Sequence, residues 1–97
     1  MEATRSLPLT AVVTAIPDQV SCELSGEVVV LSLRNGEYFG LNEVAASVWN
    51  LIQSPRTVLE VRDSLLEEFA GITPERCVQE VVRLLLELRD LELVSIS

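Results

Sequence analysis

Apolar and polar residues alternate through the first half of the chain and recur at helical spacing through the second half. Alternation predicts strands, because successive side chains of a strand point to opposite faces of a sheet. The predicted strands are Gln19–Leu24, Glu27–Leu33 and Glu37–Leu41. Asn35 and Gly36 are expected to join the last two strands in a type I′ turn, since both residue types accept the positive φ that this turn requires. The middle strand carries apolar residues on both sides, which predicts that both its faces are covered.

Three helices with recognisable ends are predicted after the strands. Their expected N-caps are Asn42, Thr57 and Thr73, and their expected ends lie near Gln53, Gly71 and Asp90. Thr57 and Glu60 match the S/T-x-x-E capping box, and Pro74 suits the first position of the third helix. A short extended segment is predicted at Leu93–Ile96.

The chain is long enough for one domain with a single core. Residues 1–17 precede the regular pattern and are predicted to form an N-terminal arm, with a short strand at Ala11–Ala15. Residues 18–97 are predicted to form the folded domain. No internal repeat is present.

The third predicted helix carries more apolar surface than one packing face requires. At about 100° per residue, its apolar positions fall into two rows. The first row is Cys77, Val81, Leu84, Leu88 and Leu91, and the second is Val78, Val82 and Leu85, with Leu86 beyond it. Two interpretations stay open: the helix is wedged between other elements, or its second row lines a groove for a partner. Arg89, on the same flank, is a candidate for binding a partner's carboxylate, although the helix dipole also explains it.

Composition and charge narrow the functional classes. The 97 residues include 15 acidic and 7 basic ones, for a net charge of −8, which disfavours binding to nucleic acid. There is no histidine and no phosphate-binding glycine motif, so the usual general base, the commonest metal ligand and a nucleotide site are all absent. We therefore expect a binding protein and not an enzyme, with no cofactor and no metal.

The two cysteines and the N-terminal segment bear on the cellular compartment. Cys22 and Cys77 lie far apart without C-x-x-C spacing, as expected for free thiols in a reducing cytoplasm. The apolar run Leu7–Ile16 is interrupted by Pro8 and by threonines, and no basic region precedes it. Neither a signal peptide nor a membrane span is expected, and the predicted location is cytoplasmic.

Three sequence motifs resemble the PqqD-like family. They are V-V-V-L-S-L-x-N-G-E-Y-F-G-L-N-x-x-A-x-x-V-W from Val28 to Trp49, R-T-V-L-E-V from Arg56 to Val61, and L-x-x-L-x-L-V from Leu88 to Val94. The resemblance covers about residues 17–96. It implies an α+β, winged-helix-like domain in which a three-stranded antiparallel sheet is followed by three helices, without catalytic activity of its own.

Members of this family are recognition elements for the precursors of ribosomally made, modified peptides. The resemblance implies that the leader segment of a precursor adds as an antiparallel strand to the third predicted strand, against the third helix. Separate enzymes, such as a leader peptidase and a macrocyclase, then process the attached core. The implied peptide-binding residues are Glu37, Tyr38, Phe39, Gly40, Leu41, Val78, Val82, Leu85, Leu86 and Arg89. Overall similarity favours the stand-alone type of lasso-peptide pathways.

Three alternatives accompany this interpretation. One is a PqqD-type peptide chaperone for pyrroloquinoline quinone synthesis. Another is a winged-helix DNA-binding regulator, which would need a basic third helix. The third is a homodimer that buries the second apolar row and Trp49, whereas the leading hypothesis expects a monomer or weak dimer. The aromatic ring of Tyr38 is expected either to pack over the second strand or to contact the bound leader.

Overall fold

The computed structural model describes residues 7–17, 19–25 and 27–97. In chain order its elements are β1 (Val12–Ala15), β2 (Gln19–Leu24), β3 (Glu27–Ser32), β4 (Tyr38–Leu41), α1 (Glu43–Leu51), β5 (Arg56–Thr57), α2 (Val58–Glu68), α3 (Pro74–Asp90) and β6 (Val94–Ile96). The strands form two antiparallel sheets, and the predicted α+β class is confirmed. None of the helices in the described part has the length and hydropathy needed to span a bilayer.

The three predicted strands form one sheet, which we call the main sheet, in the order β2-β3-β4. Its register pairs Val30 of β3 with Phe39 of β4. Val30 and Leu41 are buried, so the side of the sheet that carries them is its inner face. The core lies between this inner face, the three helices and the remaining strands.

The outer face of the main sheet is open to solvent. Val20, Leu31 and Tyr38 lie opposite one another across its three strands, and all three are exposed. The expectation that both faces of the middle strand are covered is therefore wrong for the outer face. Other parts of the chain cover β3 on the inner face of the sheet alone.

A further sheet, the terminal sheet, joins distant parts of the chain, with β1 at its centre between β5 and β6. Val13 of β1 is fully buried and Ala11 is nearly so. The short strand predicted in the N-terminal segment is present, but it belongs to the core. Residues 11–17 are therefore part of the folded domain and not an arm outside it, while residues 1–6 of the predicted arm lie outside the described residues.

The hairpin between β3 and β4 differs from the predicted type I′ turn. Gly36 has a φ of 73°, whereas Asn35 has no positive φ. The Gly36 N–H donates to the Ser32 carbonyl oxygen at 2.9 Å, and the Ser32 N–H donates to the Glu37 carbonyl oxygen at 2.8 Å. Two residues thus face one residue of β3, which is a β-bulge with a glycine in the left-handed conformation. Each flanking strand is one residue shorter than predicted.

The predicted N-caps of all three helices are confirmed. The Asn42 and Thr73 side chains each accept a hydrogen bond from the N–H three residues later, at 2.8 and 3.3 Å. Thr57 and Glu60 form the reciprocal bonds of the capping box, at 3.1 and 2.9 Å. Because Asn42 alone separates β4 from α1, the edge strand is held directly against the first helix.

Candidate functional site

The outward side of β4 presents backbone groups that have no strand partner among the described residues. Within the described residues, β4 pairs with β3 alone. The bulge hydrogen bond from Ser32 fixes the phase of the ladder, so that Phe39 and Leu41 bond to β3 and the residues between do not. Tyr38 and Gly40 therefore direct their N–H and C=O groups away from β3. Each offers one donor and one acceptor to a further strand.

A cavity of about 580 Å³ lies beside this edge, between β4, α1 and α3, and we call it the groove. Phe39 and Gly40 form its β4 side, so the open edge borders it directly. Its apolar lining comprises Phe39, Val44, Ala45, Val48, Leu65, Ile72, Cys77, Val81 and Leu84. An added strand would therefore bring every second side chain into an apolar cavity, because neighbouring side chains of a strand point to opposite faces.

Four charged residues of α3 form the rim of the groove: Arg76, Glu80, Arg83 and Glu87. All four are exposed. The Arg83 guanidinium lies 4.0 Å from a Glu80 carboxylate oxygen and 3.7 Å from one of Glu87. The two positive and two negative charges of the rim balance. This face of α3 therefore lacks the basic surface that the DNA-binding alternative requires.

The structure separates the five predicted strand residues into different surroundings. Phe39 and Gly40 line the groove, whereas Leu41 is buried in the core. Tyr38 is 76% exposed on the outer face, so its ring does not pack over the neighbouring strand. Glu37 precedes β4 and uses its carbonyl oxygen to pair with β3. The edge thus consists of the backbone groups of Tyr38 and Gly40 and the side chain of Phe39.

The predicted residues on α3 do not line the groove. Val82, Leu85 and Leu86 are 8, 0 and 6% exposed and belong to the core, because α3 packs against α2 and β6. Val78 is half-buried and Arg89 is exposed, and neither borders the groove. The assignment of the second row as a groove wall is corrected: the helix is wedged between packed elements. The same burial makes Val82, Leu85 and Leu86 inaccessible to a second copy of the chain, and Trp49 is also in the core.

The helix wall of the groove comes instead from residues of the first row. Cys77, Val81 and Leu84 line the groove together with the four rim residues, and all seven fall on one continuous arc of the helix, roughly 160° wide. The sequence contains a signal that favours the first row over the second as the groove wall. The first row borders the charged arc of Glu80 and Glu87, so it lies where buried surface meets solvent.

Cys77 lies at the base of the groove as a neutral thiol. Burial raises its pKa, and the nearby Arg62 guanidinium opposes that shift only in part. Its thiol donates a weak hydrogen bond to the Arg62 carbonyl oxygen, with Sγ 3.9 Å from that oxygen. A raised pKa lowers the thiolate fraction, so this side chain acts as an apolar lining group and not as a nucleophile. Among the described residues, no cluster of acidic or cysteine side chains could hold a metal ion.

The β3–β4 hairpin is joined to the C-terminal end of α3 by two contacts. The Asn35 side-chain amide donates to the Leu91 carbonyl oxygen at 3.2 Å, and Arg34 lies 3.8 Å from Glu92. These contacts join residues more than fifty positions apart in sequence. They hold the start of β4 at the C-terminal end of α3, and so fix the orientation of the edge relative to the helix.

Comparisons with known proteins agree with this architecture. The family model "Coenzyme PQQ synthesis protein D (PqqD)" matches residues 27–94. No curated protein matches the chain. A solved structure described as TbiB1 in complex with the TbiA(beta) leader peptide is 27% identical, covers 84% of this chain and 94% of its own, and gives a TM-score of 0.76.

Another solved structure, lasso peptide synthetase B1 complexed with the leader peptide, is 19% identical. It covers 86% of this chain and 96% of its own, with a TM-score of 0.75. At that identity the likeness concerns the fold. The predicted winged-helix-like fold with a three-stranded antiparallel sheet and three helices is confirmed.

Proposed function

The chain belongs to the PqqD family, and we propose that it binds the leader segment of a ribosomally synthesised precursor peptide in lasso-peptide-type biosynthesis. The leader adds as an antiparallel strand to β4. The observation that carries the proposal is the open edge at Tyr38 and Gly40 beside the groove. The likeness to TbiB1, whose structure holds a leader peptide, supports it. The alternative role in pyrroloquinoline quinone synthesis is supported by the name of the family alone.

In strand addition, backbone groups and side chains make different contributions to binding. The four outward groups of Tyr38 and Gly40 can form hydrogen bonds worth about 1 kcal/mol each. That sum of about 4 kcal/mol is at the lower bound of the roughly 4–15 kcal/mol that association costs. The apolar side chains that enter the groove must therefore supply the remaining affinity and the choice of leader, at about 1.5–3 kcal/mol per buried side chain.

The orientation of β4 gives the leader a direction. β4 starts near the C-terminal end of α3, where Asn35 contacts Leu91, and an antiparallel leader runs the opposite way. Its N-terminal part then lies near Ile72 and Arg76, which border the other end of the groove. The core segment, which follows the leader, leaves past Tyr38 and the hairpin. In this proposal a separate leader peptidase and macrocyclase act on it there, and the chain itself contributes binding and no catalysis.

Tyr38→Pro tests the edge without disturbing the pairing of β4 with β3. The Tyr38 N–H points outward, so proline at this position removes a group that pairs with none of the described strands. We expect Tyr38→Pro to bind peptide about tenfold more weakly than Tyr38→Ala, which lacks the same ring but keeps the N–H. The probe is a peptide selected on the wild-type chain from a display library of random linear peptides, and binding is followed by fluorescence anisotropy.

Circular dichroism of both variants should match that of the wild type, since the ladder to β3 is intact. Equal affinity of the folded proline and alanine variants would contradict strand addition at this edge. Failure to select any peptide on the wild-type chain would contradict peptide binding altogether.

A further inference from the structure

Gly40 is a glycine that the fold of this chain does not require. Gly36 and Gly71 have φ values of 73° and 85°, which favour glycine, but Gly40 is not in that region. Apart from Gly40 itself and its two neighbours in the chain, no heavy atom of the described residues would lie within 4 Å of a Cβ atom at Gly40. Glycine is also among the weakest strand formers, so a larger residue would make a better β4 in the isolated protein. Neither the backbone conformation nor the packing of the described residues therefore calls for a glycine at this position.

The surroundings of Gly40 form a notch at the free edge of the outer face. Val29 lies directly opposite Gly40 on β3 and is half-buried. Tyr38, two residues earlier on the same strand, points to the same face and is mostly exposed. The notch thus has the Gly40 backbone as its floor, apolar side chains on two sides, and an open side where a further strand would lie.

We propose that Gly40 sets the size of one leader side chain: the leader residue that pairs with Gly40 carries a large aromatic or aliphatic side chain, which lies in this notch. The inference rests on the proposed function and assigns a specificity position within it. Because the Gly40 N–H and C=O point outward, the leader residue opposite forms a hydrogen-bonded pair with Gly40 and its side chain lies on the outer face. A large side chain there covers the glycine backbone and packs between Val29 and Tyr38.

The leader is then recognised on two faces at once. The residues before and after the one paired with Gly40 point to the inner face and enter the groove, while the paired residue itself occupies the notch. The groove selects apolar side chains by burial. The notch selects a large one by the space that Gly40 leaves.

Gly40→Val separates this role from a role in folding. Valine is a strong strand former and its Cβ atom meets no neighbouring element at this position, so the melting temperature should stay equal or rise by about 2–6 °C. Its side chain fills the notch, so affinity for a peptide selected on the wild type should fall at least about tenfold. Cys22→Val is the matched control, because Cys22 lies in the same cross-strand row as Val29 and Gly40, at the opposite edge of the sheet.

The deciding experiment selects binders from one random-peptide display library on the wild type, on Gly40→Val and on Cys22→Val. Wild type and Cys22→Val should enrich peptides with a large side chain at one shared position, and Gly40→Val should enrich glycine, alanine or serine there. Replacing that large residue by alanine should cost at least about tenfold in affinity on the wild type and little on Gly40→Val. The same residue enriched on all three proteins would overturn the Gly40 inference and leave leader binding intact. No enrichment on any of them would overturn both.

Discussion

Leu85→Asp is expected to unfold the domain and not merely to weaken peptide binding. Leu85 is fully buried in the core, on the side of α3 away from the groove. An unpaired carboxylate at such a position costs about 3–5 kcal/mol or more, a large part of the 5–15 kcal/mol that stabilises a domain. The melting temperature should fall by more than about 12 °C, as measured by thermal unfolding followed by circular dichroism.

Leu85→Met is the matched control, because it keeps the volume and the apolar character of the side chain and should cost less than about 1.5 kcal/mol. A Leu85→Asp variant that melts like the wild type but no longer binds peptide would place Leu85 in the binding surface. That result would contradict the assignment of this helix face to the core.

Leu84→Asp, one residue earlier, is expected to have the opposite phenotype. Leu84 is half-buried and lines the groove, so a carboxylate there stays hydrated in the free protein. When a peptide fills the groove, that carboxylate loses its water without gaining a partner, and a penalty of about 3 kcal/mol corresponds to more than a hundredfold loss of affinity. Fluorescence anisotropy with a peptide selected on the wild type measures this loss.

Gln79→Asp supplies the control for charge. Gln79 is exposed on the same helix and lies outside the groove, so its variant gains the same carboxylate away from the peptide. It should bind the peptide within about twofold of the wild type, since an exposed charge contributes little. Equal losses of affinity in Leu84→Asp and Gln79→Asp would trace the effect to net charge and contradict the groove.

Local signals in the sequence were sufficient for the helix starts and for the order of the main sheet. A cap is decided within four residues, which is why Asn42 and the Thr57–Glu60 box could be predicted from spacing alone. The pairing of β4 with β3 also follows from sequence order, because a short hairpin joins the two strands.

The choice between the two apolar rows of α3 could not be made from the wheel alone. Both rows are apolar, and which one borders a cavity depends on where β4 and α1 lie around the helix. That position is fixed by contacts distant in sequence, such as the one between Asn35 and Leu91. The charged arc beside Leu84 does favour the first row, because it marks the flank of α3 where packing against other elements ends.

Tertiary contacts also explain the hairpin and the N-terminal strand. Asn35-Gly36 is a local signal for a type I′ turn, but the Asn35 side chain bonds to the Glu37 N–H and to Leu91, and only Gly36 takes a positive φ. β1 has four residues, and its partners β5 and β6 lie more than forty positions away. A short strand with such distant partners carries little pattern of its own, so its place at the centre of the terminal sheet could not be predicted.

Amide hydrogen exchange followed by NMR tests strand addition most directly. On saturation with a peptide selected on the wild-type chain, the Tyr38 and Gly40 amides should exchange at least about tenfold more slowly, because their outward N–H groups gain partners. The Phe39 and Leu41 amides, which already bond to β3, should change less. Unchanged exchange at Tyr38 and Gly40 in the saturated complex, with new protection on β2 instead, would contradict the account.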